Sequence, residues 1–414
     1  MRNVSKITKE ECCGCSGCFA ICPKNAITMQ TDKEGFLYPS VDSKACIDCG
    51  LCVNVCEEKF NYKTATINAY AGKNKNDAVL KKSSSGGVSH ALCAEIIRRK
   101  GVVYGVVYDN KYRVIVTRAE DAESCDAFYG SKYVQADPHD SFRMVKVDLK
   151  NGKDVLYFGT SCYIAGLLSY LTTAKVKLDN LYTVDLICHG VPSPKVFADY
   201  IKWLGDRMEK FEFRTKNKPW GYGSKNFGCT ITTIDGKQHT DTLKSRVFLN
   251  IFFSNNCLRP HCHNCEFCGI QKPADITIAD YWGCKDEEPE FFTEKGVSAI
   301  LVHSEKGNQL LHAADELELK KTSIEKIEKK QGNLHHPSRK NPQKNVFWND
   351  YFNNIDFSYI AKKYGNYKIK ARLKRWVKNI LLNRCSQKKQ IMGKKLTLVI
   401  IAIHYEKKLG DMLI

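Results

Sequence analysis

Through the middle of the chain, short apolar runs alternate with stretches in which apolar residues recur every three or four positions. Val102 to Tyr108 and Tyr112 to Thr117 read as strands from their β-branched and aromatic content, whereas Val88 to Arg99 has helical spacing and stops at Gly101. Asp154 to Phe158 is a further apolar strand, followed by Gly159-Thr160-Ser161 and a helix over Cys162 to Leu171. Leu181 to Ile187 repeats the arrangement, with Ser193 as N-cap and Pro194 as first residue of a helix that ends at Gly205. Such alternation predicts an α/β domain on a central sheet. Phe211 to Arg214 and Cys229 to Ile234 follow without crossover helices, so the sheet is expected to be mixed.

The two ends differ from this middle. Residues 1–70 form one expected domain with short extended pieces at Ala26 to Met29 and Phe36 to Tyr38, and polar Gly72 to Asp77 has the composition of a linker. A second domain is expected over 81–335 and a basic helical tail over 336–414. In that tail Ile369, Leu373, Trp376, Val377, Ile380 and Leu381 share one helical face among Lys and Arg residues. It either lies on an anionic membrane surface or acidic partner, or packs on its own domain. Leu396 to Ile403 is apolar but too short to span a bilayer.

Length and charge sharpen the picture. A chain of 414 residues has room for two or three domains. Its formal charge of +19 invites a nucleic-acid reading, yet residues 336–414 carry 18 Lys and Arg against four Asp and Glu. The basicity therefore belongs to the tail, no nucleic-acid motif accompanies it, and a nucleic-acid partner is not expected. Twenty cysteines without a leader-like segment before them point to a reducing cytoplasm, with the tail allowing a peripheral position at the inner face of a membrane.

Eight of those cysteines form two copies of one spacing, Cys12, Cys15, Cys18 and Cys22 followed by Pro23, then Cys46, Cys49, Cys52 and Cys56, each 34 positions on. This is the signature of a bacterial-type ferredoxin module with two 4Fe-4S clusters, in which the fourth cysteine of each run reaches the other cluster. Cys12, Cys15, Cys18 and Cys56 are thus expected on one cubane, and Cys46, Cys49, Cys52 and Cys22 on the other. Zinc prefers separated pairs of ligands, so a third cysteine so close behind each pair argues against it. Cys13 does not fit the spacing and is expected to be unligated.

Four loops of the middle domain carry candidate chemistry. Ser83 to Gly87 opens the helix at Val88, where hydroxyls and free amides suit a phosphate, although such runs are commonly plain turns. Cys162, behind Gly159, Thr160 and Ser161, sits at a helix start that stabilises a thiolate; it could be a nucleophile, a cluster ligand or a buried small residue. Cys188-His189-Gly190 ends a strand with the same ambiguity. Cys257, Cys262 and Cys265 have cluster-like spacing, with His261 and His263 keeping zinc open as an alternative. Neither a nicotinamide-type glycine fingerprint nor a Walker loop is present.

Taken together, Ser84 to Gly87, Gly130 to Val134, Gly159 to Cys162, Asp185 to Pro192, and Arg259-Pro260 through Asp280 to Gly283 resemble the coenzyme F(420) hydrogenase/dehydrogenase beta-subunit family, over about Lys81 to Leu311. The resemblance implies a mixed-sheet α/β flavoprotein domain fused to the ferredoxin module. It implies a third 4Fe-4S cluster on Cys257, Cys262 and Cys265, with Cys188 or Cys162 as fourth ligand. It also implies FAD near Ser84, Ser85, Gly86 and Gly87, with Gly159, Thr160, Asp280 and Trp282 as further cofactor-binding residues. Ser161 stands where proline is usual and Ala279 where glycine is frequent. The implied function is an oxidoreductase passing electrons between clusters, fed by ferredoxin or another redox protein, and an unidentified organic substrate through FAD, F(420) among the substrates it allows. His189 and Lys132 are the candidate proton donors. The rivals are a non-catalytic electron-relay subunit and a cysteine-nucleophile transferase using Cys162.

Overall fold

The computed structural model describes residues 2–221, 228–354 and 356–368. The chain divides into units Met1–Gly365 and Asn366–Ile414, and the architecture below is that of the first. The amphipathic segment 369–381 and the apolar run 396–403 lie outside the described residues.

The amino-terminal module is a hairpin of β1 (Ile27–Thr31) and β2 (Leu37–Val41), paired antiparallel from Ile27 opposite Val41, with one short helix behind each triple-cysteine run, Gly17–Ile21 and Leu51–Glu58. The 34-residue repeat is written into the backbone. Gly14 and Asp48 take φ of 78° and 57°, and Ser16 and Gly50 take 63° and 74°. At each pair the chain turns through the left-handed region so that successive sulfurs face the same point.

β3 (Asn68–Asn74) follows at once and belongs to a different layer. With β4 (Val102–Tyr108), β5 (Val114–Ala119), β6 (Val155–Phe158), β7 (Leu181–Leu186), β11 (Ile276–Asp280), β12 (Ser298–Val302) and β13 (Leu317–Thr322) it makes an eight-stranded sheet of order β13-β3-β12-β11-β7-β6-β4-β5. The remaining strands, β8 (Met208–Thr215), β9 (Gly228–Thr233) and β10 (Gln238–Thr240), form a separate antiparallel sheet. The large sheet is parallel at its centre, β4, β6, β7 and β11, and antiparallel at both flanks.

The mixed α/β fold is therefore as expected, with two corrections. The mixed direction comes from β3, β5, β12 and β13, because Phe211 to Arg214 and Cys229 to Ile234 lie in the small sheet. Residues 72–77 are no linker: Gly72 pairs with both β12 and β13, Lys73 and Asn74 pair with β13, and Asp77 starts the helix Asp77–Lys82. Their polar composition misleads because Lys73 reaches its charge out to Glu318 while the strand backbone stays inside.

The central strands are apolar throughout because both faces are covered. On one face Val88, Leu92 and Ile96 of the helix Val88–Arg98 and Leu310 and Leu311 of the helix Glu305–Ala313 pack on Val103, Leu156, Val184 and Ile300. On the other, Phe142, Val145, Ile164, Leu167 and Leu171 cover Val102, Val155, Tyr157 and Leu181, and Ala20 and Val55 of the cysteine-rich module join the same core. Residues 336–365 also pack inside this unit rather than forming a tail: Lys344 donates to the Leu258 carbonyl at 2.6 Å and Asn255 to that of Arg339 at 3.0 Å. Among the described residues no helix is long and apolar enough to cross a membrane.

The module docks through close backbone approach and one buried cation. Helix Ser161–Thr173 lies against Leu51–Glu58, with Ser169 Oγ donating to the Val55 carbonyl at 2.8 Å. A Cβ at Gly166 would stand 2.6 Å from Cys15 Sγ, so only glycine lets that sulfur seat. Arg259, 0% exposed, donates to the carbonyls of Cys12 at 2.7 Å and Leu37 at 2.9 Å and to Gln135 Oε1 at 3.0 Å, with its guanidinium 4.2 Å from the Tyr38 ring centre.

Two outcomes follow from this docking. Gly166→Ala should lower stability by about 1–3 kcal/mol in urea unfolding, as overpacking does, and reduce bound iron by displacing Cys15. Arg259→Ala should cost about 3–5 kcal/mol by leaving buried carbonyls without their charged donor, with Arg259→Lys recovering only part because an ammonium lacks the planar fork; thermal melts of the three proteins measure both.

Candidate metal centres

The N-terminal thiols lie in two neighbourhoods. Cys22, Cys46, Cys49 and Cys52 line one cavity of about 350 Å³ with Arg2, Pro23, Ile27, Val41 and Ile47. The Ala26 amide donates to Cys22 Sγ at 3.3 Å, and Asn3 Nδ2 stands 3.6 Å from Cys46 Sγ. In the other set Cys18 stands beside Cys12 and Cys56, and burial together with these sulfurs pushes its thiol well above the ordinary value. Lys59, 2% exposed, puts Nζ 3.3 Å from Cys56 Sγ. Burial works against its charge, yet the sulfurs of Cys13, Cys15 and Cys56 outweigh it and hold the ammonium protonated. Arg259 adds a second cation, 3.4 Å from Cys12 Sγ.

A third sulfur-rich chamber, about 580 Å³, opens beyond the carboxyl ends of the parallel strands, where α/β sheets place ligands. Cys162 arrives from the helix after β6, Cys188 from the end of β7, and Cys262, Cys265 and Cys268 from the segment before β11; Cys13 enters from the module. Several of these sulfurs have an amide or hydroxyl within hydrogen-bonding distance. The Gly190 amide reaches Cys188 Sγ at 3.3 Å, the Val191 amide reaches Cys262 Sγ at 3.4 Å, Thr160 Oγ1 lies 3.2 Å from Cys162 Sγ, and the Phe267 amide serves Cys265. Cys268 receives the Gly269 amide and turns its own thiol to the Asn333 carbonyl at 2.9 Å. Lys272, 2% exposed, stands near Cys188 and Cys265 with Nζ donating to the Phe267 carbonyl at 2.7 Å.

Cys257, expected as a ligand here, does not line the chamber. It is fully buried behind it, its carbonyl accepting from Ser193 N at 2.9 Å, and burial pushes its thiol up to about 12. The spacing misleads because the chain runs extended from Cys257 to Arg259 before it turns at Pro260–Asn264. Pro192 and Leu258 form an antiparallel bridge there. Of the two histidines that kept zinc open, His263 is engaged by the Ser338 carbonyl at 2.9 Å and Lys344 Nζ at 3.1 Å, whereas His261 lines the chamber. Among the described residues no three His, Cys, Asp or Glu side chains converge on a single ion.

The other expected site residues meet elsewhere, around a residue that motif reading passed over. Arg214, at the end of β8, donates to both oxygens of Asp280 at 2.6 and 3.0 Å, to the Ser84 carbonyl at 3.0 Å and to Tyr133 at 3.3 Å. Trp220 donates to Asp280 at 2.9 Å and stacks on Trp282 with ring centres 5.4 Å apart. Ser131 donates to Ser84 Oγ at 3.0 Å. Lys216 is held by the carbonyls of Leu80, Ser85 and Lys295, and burial with Arg214 nearby pushes it down to about 7. The available signal was the basic and aromatic run Arg214 to Trp220.

The phosphate expectation fits this corner only in part. Ser85 Oγ is engaged by the Val297 carbonyl and the Gly86 amide by Ser298 Oγ, each at 3.0 Å, so these two groups anchor the loop. The first-turn amides of the 11-residue helix Val88–Arg98 have no side-chain cap, because Gly87 at φ 75° precedes them. Thr160 lines the sulfur chamber with Cys162, and Gly159 precedes it at the end of β6. Lys132 donates to the carbonyls of Ala127 at 3.0 Å and Tyr129 at 2.8 Å, and burial with Lys210 nearby pushes it down to about 8. His189 lines the sulfur chamber, donating Nε2 to Asn255 at 2.7 Å between the rings of Phe252 and Phe253; burial lowers it below its ordinary value.

Comparison with known proteins places these features. Residues 11–60 match the model of the 4Fe-4S dicluster domain, and residues 152–329 match that of the C terminus of the coenzyme F420 hydrogenase/dehydrogenase beta subunit. No curated protein matches the chain. Among solved structures, a chain from the xenon-derivatised F420-reducing [NiFe] hydrogenase complex of Methanosarcina barkeri is similar at 18% identity and a TM-score of 0.45, covering 71% of this chain and 96% of that one. The chain thus carries a region similar to the 4Fe-4S dicluster domain followed by one similar to the C terminus of the coenzyme F420 hydrogenase/dehydrogenase beta subunit.

Proposed function

We propose that this chain is an oxidoreductase that moves electrons between its two N-terminal clusters, a third 4Fe-4S cluster and an organic substrate through FAD. The observation that carries the reading is the chamber lined together by Cys162, Cys188, Cys262 and Cys265, the last three receiving backbone amides as cluster thiolates do and Cys162 lying 3.2 Å from Thr160 Oγ1. We assign those four as its ligands, in place of a set containing Cys257. Cys12, Cys15, Cys18 and Cys56 hold the first cluster, and Cys22, Cys46, Cys49 and Cys52 the second. The dicluster domain then ends before Asn68 and the sheet domain runs from there to Gly365.

When bound, the clusters exchange single electrons and FAD exchanges two as a hydride. The protein's part is to hold and neutralise these groups. Lys59 and Arg259 offset thiolate charge at the first cluster and Lys272 at the third. The uncapped amides of Val88–Arg98 suit the anionic phosphates of FAD, with Trp282 and the Arg214–Asp280 pair walling the same corner. Lys132 is the better proton donor of the two candidates: one of its three hydrogens is free of the Ala127 and Tyr129 carbonyls, whereas His189 faces the sulfur chamber. Electrons enter from ferredoxin or another redox protein at the second cluster, whose Cys49 is exposed and whose neighbour Ile47 is 57% exposed. A chain this rich in cluster-binding thiols suits the reducing cytoplasm, which is the compartment proposed for it.

A relay subunit without flavin is the second reading, favoured by the internal engagement of Ser85 and Gly86. Anaerobic purification with iron and flavin quantification separates them: twelve iron and one FAD per chain for the oxidoreductase, no flavin for the relay. Cys188→Ala or Cys262→Ala should lose about four iron while Cys257→Ala loses none, and Cys257→Ala losing four would restore it as a ligand. Lys132, protonated below about 8, should sustain substrate reduction at neutral pH and lose it as pH rises through that value. Lys132→Met should flatten this profile and lower kcat by about 100-fold or more.

A further inference from the structure

A line of polar side chains crosses the sheet toward the sulfur chamber. Asp185 on β7, 0% exposed, accepts the Thr277 Oγ1 hydrogen on Oδ1 at 2.5 Å from β11, where the two residues stand opposite each other in the parallel pairing. Thr277 has only that hydrogen to give, so His303, just past β12 and 4% exposed, donates Nε2–H to the same Oγ1 at 2.9 Å. The other ring nitrogen, Nδ1, then carries the lone pair and stands 3.3 Å from Thr66 Oγ1. Thr66 is half-buried; its neighbour Ile67 is 49% exposed, and so in part is Ile270, whose carbonyl the Thr66 hydroxyl also reaches at 3.0 Å. The inner end of the line is unfinished. Asp185 Oδ2 has no partner among the described residues, and neither has the hydroxyl of Ser161, which faces Asp185 and lines the chamber. Buried polar atoms are so rarely left without a partner that each calls for a reason.

We propose that Thr66, His303, Thr277 and Asp185 conduct a proton from solvent to the wall of the sulfur chamber, where Asp185 takes it up when the chamber receives an electron. The proposal rests on the third cluster assigned above. One electron arrives from the N-terminal module and one proton from water, so the two charges cancel inside the protein. Thr277 passes its hydrogen to the carboxylate, forming the O–H bond of a carboxylic acid. His303 replaces that hydrogen from Nε2, Thr66 supplies Nδ1, and water restores Thr66, leaving hydroxide in solvent. Every link gives one hydrogen and takes another, so none is left charged. Asp185 is poised for this, since burial raises its carboxyl above the ordinary range while Lys272 and the hydroxyls of Ser161 and Thr277 favour the carboxylate. Negative charge added to the chamber, into which Cys188 projects from the same strand, tips that balance toward the acid. Burial and Lys272 push His303 down to about 4 against the Ala65 carbonyl, so the ring is neutral, as a relay requires. Asp275, the other buried carboxylate of these strands, is engaged by Thr183 and Ser304 with Lys306 at 3.6 Å and takes no part. Asp185 bonds to no sulfur among the described residues and acts through its charge.

The test uses the full chain purified anaerobically as wild type, Asp185→Asn and Thr277→Val, with iron counted. Each cluster is followed by redox titration monitored by electron paramagnetic resonance between about pH 5 and 9, where buried carboxyls titrate. All three proteins should hold twelve iron. In the wild type the reduced-to-oxidised ratio of the third cluster at fixed potential should fall about tenfold per unit rise in pH, equivalent to about 59 mV for one electron. That slope spans the window between the Asp185 values of the oxidised and reduced protein, and the second cluster serves as a flat internal reference. The reduced-minus-oxidised infrared difference should also show the carbonyl stretch of a new carboxylic acid, and Asp185→Asn should lose both signals. Thr277→Val keeps the carboxyl and cuts the path, so the slope should persist while proton uptake after a reducing pulse, read with a pH indicator, slows about 100-fold. Twelve iron with a flat third-cluster potential in the wild type, or a slope that survives Asp185→Asn, overturns the proposal and leaves the third cluster standing. Undiminished uptake in Thr277→Val overturns the path, and iron lost from Asp185→Asn makes that residue a structural support, which overturns it too. Eight iron in the wild type removes the third cluster and the proposal with it.

Discussion

The buried guanidinium of Arg259 fixes the relation between the two cysteine-rich parts of the molecule. Taking a cation to 0% exposure is costly, and it persists only where its hydrogens are matched. Here a planar fork reaches the Cys12 and Leu37 carbonyls, Gln135 and Cys12 Sγ while its face lies on Tyr38. An ammonium could not make these contacts at once. Because Arg259 stands three residues before Cys262, the turn that brings the third chamber its sulfurs also grips the first thiol loop. The separation of the two sites is therefore set by one helical turn rather than by a flexible connection.

The same logic distributes positive charge among the sulfurs. Lys59 and Lys272, each 2% exposed, and Arg259 lie against the first thiol set and the chamber, where water cannot offset thiolate charge. The second set lies at the surface, with Cys49 exposed, and has solvent for that purpose. Net charge, hydrogen bonds to sulfur and exposure are the levers that set cluster potentials. Three thiol sets of one chemical type thus sit in three electrostatic settings within a single unit.

Much of this was legible in the sequence. The strand at Val102 to Tyr108 and the helix capped at Ser193-Pro194 appear almost as the apolar pattern predicts, because central strands buried on both faces and a capped amphipathic helix leave strong local signals. Cys22, Cys46, Cys49 and Cys52 likewise line one cavity, and both cysteine runs repeat the same local turns at Gly14, Ser16, Asp48 and Gly50. What failed was non-local. Cys257 has the spacing of a ligand, but an antiparallel bridge between Pro192 and Leu258 holds its backbone extended behind the chamber. Residues 72–77 are polar yet finish strand β3 at Asn74 and open a helix at Asp77. Arg214 has no motif of its own, and its partners Ser84, Tyr133 and Asp280 come from three distant segments.

These non-local contacts share one origin in the topology. β7 and β11 are parallel neighbours in the sheet, but residues 187–275 intervene between them, carrying the small antiparallel sheet and the helices Pro194–Leu204 and Val247–Phe253. The excursion leaves with Cys188 and returns with Cys262 and Cys265, and it is stapled shut where it departs. Ser193 N bonds the Cys257 carbonyl at 2.9 Å and Arg259 N bonds that of Val191 at 3.0 Å. Its own core is aromatic, with Phe197, Phe211, Phe213 and Phe248 in mutual contact. That rigid packing carries Arg214 on β8 back over the strand ends to Asp280. One insertion therefore builds both the sulfur chamber at its roots and the Arg214 corner at its far side. The sheet contributes the strand ends from which Cys188 and Asp280 project, and the insertion determines what faces them.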